Sequence, residues 1–89
     1  MDLPGPTTWS VMYDGEGNFH IDATADHATH FHELRKGPGE DAFIERAANA
    51  TSPHADPVSL PGSYDMKLQA RNSSGDGPMS AVKTVVKPG

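Results

Sequence analysis

No cysteine occurs in the 89 residues. Disulfide staples, thiol catalysis and zinc sites built on thiolates are thereby excluded, and the redox compartment stays open. Basic residues are few, with seven Lys and Arg against twelve Asp and Glu, a net charge of −5. A phosphate-binding surface needs clustered cations, so nucleic acid is not expected as a partner. No apolar run approaches the ~18 residues of a membrane span, and no membrane insertion is expected. The segment Met1, Asp2, Leu3, Pro4, Gly5, Pro6 carries an acid and two prolines where a signal peptide needs a cationic and then an apolar stretch. What the chain has in quantity is turn formers, nine Gly and eight Pro, short of a low-complexity level. Its length suits one domain over residues 1–89, burying roughly 60–65% of its unfolded surface, with 1–6 expected as a flexible N-terminal segment.

The dominant pattern has period two. Trp9, Val11 and Tyr13 alternate with Ser10 and Met12; Phe19, Ile21, Ala23 and Ala25 alternate with His20, Asp22 and Thr24. Tyr64, Met66, Leu68 and Ala70 alternate without exception with Asp65, Lys67, Gln69 and Arg71. Such runs are strands with one face on a core and the other in water. Val82, Thr84 and Val86 form a weaker run, with Val85 out of phase. Breakers separate the runs: Gly15 and Gly17 between the first two, Gly37, Pro38 and Gly39 after the third, and 73–78 between the last two. Short strands punctuated this way predict an all-β sandwich or barrel.

The middle of the chain is less regular. Residues 28–36 read as a strand, yet Phe31, Glu33 and Arg35 share one face and His30, His32 and Leu34 the other, so neither face is apolar. A bulge or an edge position would account for this. Over 40–50, Phe43, Ile44, Ala47 and Ala48 fit a helical stripe capped by Asp41, whereas a strand would align Phe43, Glu45 and Ala47. The surrounding β pattern favours the strand.

Leu60, Pro61, Gly62, Ser63 and Tyr64, then the alternating run through Ala70 and Asn72, then Gly75, Asp76, Gly77, Pro78 and Ser80 resemble the last two strands of a fibronectin type III domain. The resemblance is specific over 60–86, loose over 19–50 and absent before Gly17. It implies an immunoglobulin-like β-sandwich of about seven strands. It also implies structural roles for Leu60, Pro61 and Tyr64, with the Tyr64 hydroxyl bonded to backbone near Leu60 in a tyrosine corner. Where the family usually places a core Trp, this chain has Ala23, Thr24 and Ala25, so Trp9 is expected to supply the missing volume. The Leu60-to-Tyr64 spacing is also shorter than usual.

Candidate chemistry is sparse. His27, His30 and His32 fall within six positions, and on a strand His30 and His32 share a face, with Asp22 or Asp26 available as carboxylate ligands. A solvated strand face explains the same residues, and no metal or other cofactor is expected. Asp14, Glu16, Asn18 and Asp22 have the alternation of a calcium loop, but the twelfth position from Asp14 is Ala25, not a bidentate Glu. No serine lies in a nucleophile elbow, and Glu40 and Asp41 sit in a solvated connection, so no catalytic residues are assigned and no enzyme is expected. Asn49 and Asn72 open glycosylation triplets, relevant only in a secretory pathway. Ser74, Gly75, Asp76 and Gly77 form a turn where the family often presents binding residues, a flexible loop by default.

The expectation is a non-catalytic binding or structural module with a protein partner in a larger assembly. Its most concrete form is a small bacteriophage virion protein decorating a capsid or tail. The rival is a spacer or carbohydrate-proximal module of a secreted bacterial enzyme or adhesin, and a histidine-based metal-binding domain is a third class. A virion or extracellular surface is the favoured location. Fold alone does not choose among these.

Overall fold

The computed structural model describes residues 2–89; Met1 lies outside the described residues. Eight strands follow in order: β1 (Thr8–Tyr13), β2 (Asn18–Thr24), β3 (His30–Lys36), β4 (Ile44–Ala50), β5 (His54–Pro57), β6 (Gly62–Asn72), β7 (Gly75–Met79) and β8 (Lys83–Lys87). They form two antiparallel sheets, β1-β2-β5 facing β4-β3-β6-β7, with β8 also paired to β6. This is an immunoglobulin-like β-sandwich.

The β1–β2 turn shows how local chemistry fixes register. The Asp14 carboxylate accepts the Glu16 N–H at 2.7 Å and the Asn18 N–H at 3.1 Å, while Gly15 and Gly17 take φ of 84° and 93°, values that glycine adopts without a Cβ penalty. These N–H groups also hold the Asp14 carboxyl below its usual pKa, the Glu16 N–H most strongly. With the turn set, Trp9 stands opposite Ala23 and Tyr13 opposite Phe19.

The core takes the inward residues of the period-two runs: Trp9, Phe19, Ile21, Ala23, Phe31, Val58, Tyr64, Met66, Leu68 and Ala70. The Phe19 and Tyr64 rings meet edge to face at 5.1 Å, a geometry that the quadrupoles of the rings favour. The Tyr64 hydroxyl donates to the Leu60 carbonyl. Leu60 contributes that carbonyl; its side chain is exposed, as is Pro61. Tyr64→Phe should therefore cost about 1–3 kcal/mol in urea unfolding, because the Leu60 carbonyl loses its donor. A loss of only a few tenths would show that water replaces the hydroxyl at no cost.

Several expectations are corrected. The final run is the single strand β8, and a further strand, β7, forms in the stretch read as a turn, giving eight in all. Between them Ser80 donates its N–H to the Leu68 carbonyl and accepts the Leu68 N–H on its hydroxyl, both at 2.8 Å. That exchange fills the ladder where β7 stops and β8 has not begun. Within β8 it is Val85 that packs on the core, opposite Tyr64, while Val82 and Val86 are exposed. Ser74, Gly75, Asp76 and Gly77 do not form a free loop. Gly75–Met79 is a strand paired to β6, and Asp76 binds Arg71 at 3.1 Å.

Strand β3 is interior, not an edge, since it pairs with both β4 and β6. The irregularity lies in its pairing with β4, which shifts twice: Ala48 and Asn49 stand against His32 alone, and Arg46 is extra between the Glu33–Ala47 and Leu34–Glu45 pairs. Residues 40–50 hold no helix; the strand begins at Ile44. The segment 2–6, expected to be flexible, is packed: Pro4 is buried, Gly5 N–H donates to the Asp26 carbonyl at 3.0 Å, and the Asn72 amide donates to the Asp2 carbonyl at 2.6 Å.

Candidate functional site

The three clustered histidines have separate surroundings. His27 sits in the β2–β3 turn at φ 61°, with Nε2 3.7 Å from Asp2. His30 is exposed and its Nδ1 lies 3.1 Å from the Thr29 hydroxyl. His32 shares the outer face of β3 with His30 and lies between Glu45 and Gln69, each 3.3 Å from one ring nitrogen. Asp22 pairs with His20 on the other sheet at 2.9 Å, and Asp26 is in the turn after β2. Among the described residues no three His, Asp or Glu side chains are placed so that they could hold a metal ion together. Of the glycosylation triplets, Asn49 is exposed, whereas the Asn72 amide nitrogen is committed to the Asp2 and His27 carbonyls.

The most unusual chemistry is inside. β3 alternates Phe31, Glu33 and Arg35 toward the core, and all three are buried. From the facing sheet, β5 sends His54 and Asp56 to meet them. Arg35 Nη1 donates to Asp56 at 2.8 Å and to the Pro57 carbonyl at 3.1 Å, and the guanidinium lies 5.0 Å from the Tyr64 ring centre. Arg35 and Asp56 are thus a desolvated pair with a charge-assisted bond.

Glu33 has no such cation at bonding distance. It is fully buried, His54 Nε2 lies 3.3 Å from its Oε1, and as a carboxylate neither oxygen has a hydrogen-bond partner. Beside it is a recess of about 10 Å³ lined by Ile21, Phe31, Ala50 and Leu68, room for one water at most. Burial, then a hydrogen bond to Asp56 and the Asp56 charge, push the Glu33 carboxyl up to about 9 against the opposing charges of Arg35 and Arg46. At neutral pH Glu33 is therefore protonated, which makes one of its oxygens a donor toward Asp56.

The sign of the linkage follows. With the folded value raised above the unfolded 4.5, the native state holds one more proton across that window. Stability is full below about pH 4.5 and falls as pH rises toward 9, by at most about 1.4 kcal/mol per pH unit. Glu33→Gln should flatten this contribution, so denaturant melts at pH 5, 7 and 9 should diverge less for the variant. Equal slopes in the two proteins would show that Glu33 does not hold the extra proton.

The sequence did carry a signal for this cluster. Glu33 and Arg35 share a face with Phe31, and that face proves to be the inner one. His54 and Asp56 were not legible, because only the packing of β5 over β3 brings them there.

Next to the cluster, at the pole where β3 ends and β6 begins, is a second recess of about 150 Å³. Arg35, Arg46, Glu40, Ser59, Leu60 and Tyr64 line it. Arg46 reaches this side as an extra residue of β4. Glu40 is held by one oxygen, which accepts the Gly37 N–H at 2.7 Å.

No family model matches the chain, and no curated protein does. Among solved structures it is similar to the PKD domain of an M14-like peptidase from a Thermoplasmatales archaeon, at 13% identity and a TM-score of 0.49, over 99% of this chain and 98% of that one.

Proposed function

We propose that this domain is a non-catalytic module that holds other parts of an assembly apart in line and docks through its poles. The observation that carries this reading is that β6 is tied at both of its ends to other segments. Asp2 is tied to Asn72 at the end of β6, and Lys87 pairs with Gly62 at its start. Those positions lie about 30 Å apart along an extended strand, in a body 44 Å long and 25 by 17 Å across. The C-terminal strand β8 is laddered to β6, and the N-terminal segment is tied to the far end of β6 by the Asn72 amide.

The buried charges fit the same role. Arg35, Asp56 and protonated Glu33 face one another between the sheets and hold the sandwich in one arrangement. The resemblance to fibronectin type III domains supports an accessory module. Its two concrete forms are a spacer beside a secreted enzyme or adhesin and a small protein decorating a bacteriophage capsid or tail. The resemblance suits both forms, and the ties at both ends of β6 favour the spacer.

Small-angle scattering of two copies joined directly, Gly89 to Asp2, tests the in-line reading. The expected longest dimension is about twice the 44 Å of one copy. A folded-back pair no longer than a single copy would overturn it.

A further inference from the structure

We infer that the 150 Å³ recess at the β3–β6 pole takes the carboxylate of an acidic side chain presented by the protein on which the module docks. This rests on the docking reading above and gives it a chemistry. Two guanidinium groups line the recess, and neither has its donors filled. Arg35 is more than nine-tenths buried; its Nη1 is bonded to Asp56 and Pro57, its Nε is unpartnered but sealed from solvent, and its Nη2 makes no hydrogen bond among the described residues. Arg46 is exposed and makes no ion pair or hydrogen bond among the described residues. A planar fork of N–H donors is matched by the two oxygens of a carboxylate, and a partly desolvated site strengthens that match.

Size and walls narrow the ligand further. A space near 150 Å³ holds about one six-carbon ring, hence a short side chain and not an extended peptide. Pro38, Pro57 and the exposed Leu60 supply apolar contact for its methylenes. Ser59 is also on the lining. Glu40 is the one carboxylate on the rim, and the Gly37 N–H holds one of its oxygens. Its charge, with that of Asp56 on Arg35, balances the two guanidinium groups, which disfavours a dianion such as phosphate more than a single carboxylate.

The test is an NMR titration of the whole domain with N-acetyl-glutamate amide, with N-acetyl-glutamine amide and acetate as comparison probes. Shifts from the glutamate probe should gather at 37–40, 46 and 57–60, and the glutamine probe should leave them in place. Arg46→Gln should weaken the glutamate response by about two- to fivefold, as loss of an exposed ion pair does, with an unchanged melting temperature because Arg46 is exposed. Acetate shifting the same amides as strongly would assign the site to free small carboxylates and overturn the side-chain form. Equal responses to the glutamate and glutamine probes, or no effect of Arg46→Gln, would overturn the site altogether. Either failure leaves the scattering result, and so the in-line reading, standing.

Discussion

Arg35→Met should lower the stability of the domain by about 3–5 kcal/mol, the range for removing one partner of a buried ion pair. The methionine keeps much of the volume against Tyr64, so the loss is chiefly electrostatic. Asp56, almost fully buried, would keep its charge with no cation beside it. The Pro57 carbonyl would lose a donor as well. Chemical unfolding of the variant measures the loss. A double variant, Arg35→Met with Asp56→Leu, removes both charges and should recover most of it, as apolar replacement of whole buried pairs often does. A loss under about 1 kcal/mol for the single variant would mean that Asp56 is solvated or protonated without cost, as exposed pairs behave.

Trp9→Ala should cost a similar amount, about 3–5 kcal/mol, the range for emptying a large buried aromatic site. The indole is nearly buried in the core cluster, directly across the β1–β2 ladder from Ala23. A small residue opposite a large one lets the ring fill the inter-sheet space, and neither Ala23 nor Ala25 can fill it in return. Lys83 adds a second tie, with Nζ 5.3 Å from the ring centre and donating to the Trp9 carbonyl at 2.6 Å. That contact holds β8 against β1, an edge the sheets do not join by a ladder. Small domains have roughly 5–15 kcal/mol in total, so the variant should be partly unfolded at 37 °C. Native Trp9 fluorescence should be blue-shifted and move to the red on unfolding. A water-like emission maximum in the native protein would refute the placement.

Some of this molecule was readable from residue order alone. The alternation in β2 and β6 placed Phe19, Ile21, Tyr64, Met66 and Leu68 inward, because a strand sends successive side chains to opposite faces whatever it pairs with. The Asp14 turn was equally local, since its glycines and its carboxylate act within five residues. The two-sheet class followed from repeated short amphipathic strands, each needing a second sheet to cover its apolar face.

Other features depended on which strands became neighbours. Val85 looked out of phase, yet it is the residue of β8 that faces inward, because register is set by β6 and by the Ser80 insertion rather than by β8 itself. Residues 75–79 looked like a loop for the same reason, since a strand with Gly and Pro has little propensity of its own and forms where β6 offers a ladder.

The buried charges are the clearest division. Glu33 and Arg35 spoiled the amphipathic reading of β3, and the sequence offered only a bulge or an edge to explain them. A charge can enter a core only when its counter-charge and hydrogen-bond partners arrive with it. Here those arrive from β5, about twenty residues further along and in the opposite sheet. Period and composition report on one strand at a time, so they determined the layers and most of the apolar core. The partners of Glu33 and Arg35, and the recess that the extra residue Arg46 helps to line, were decided only when β5 packed across β3, because desolvation and pairing are properties of two sheets in contact.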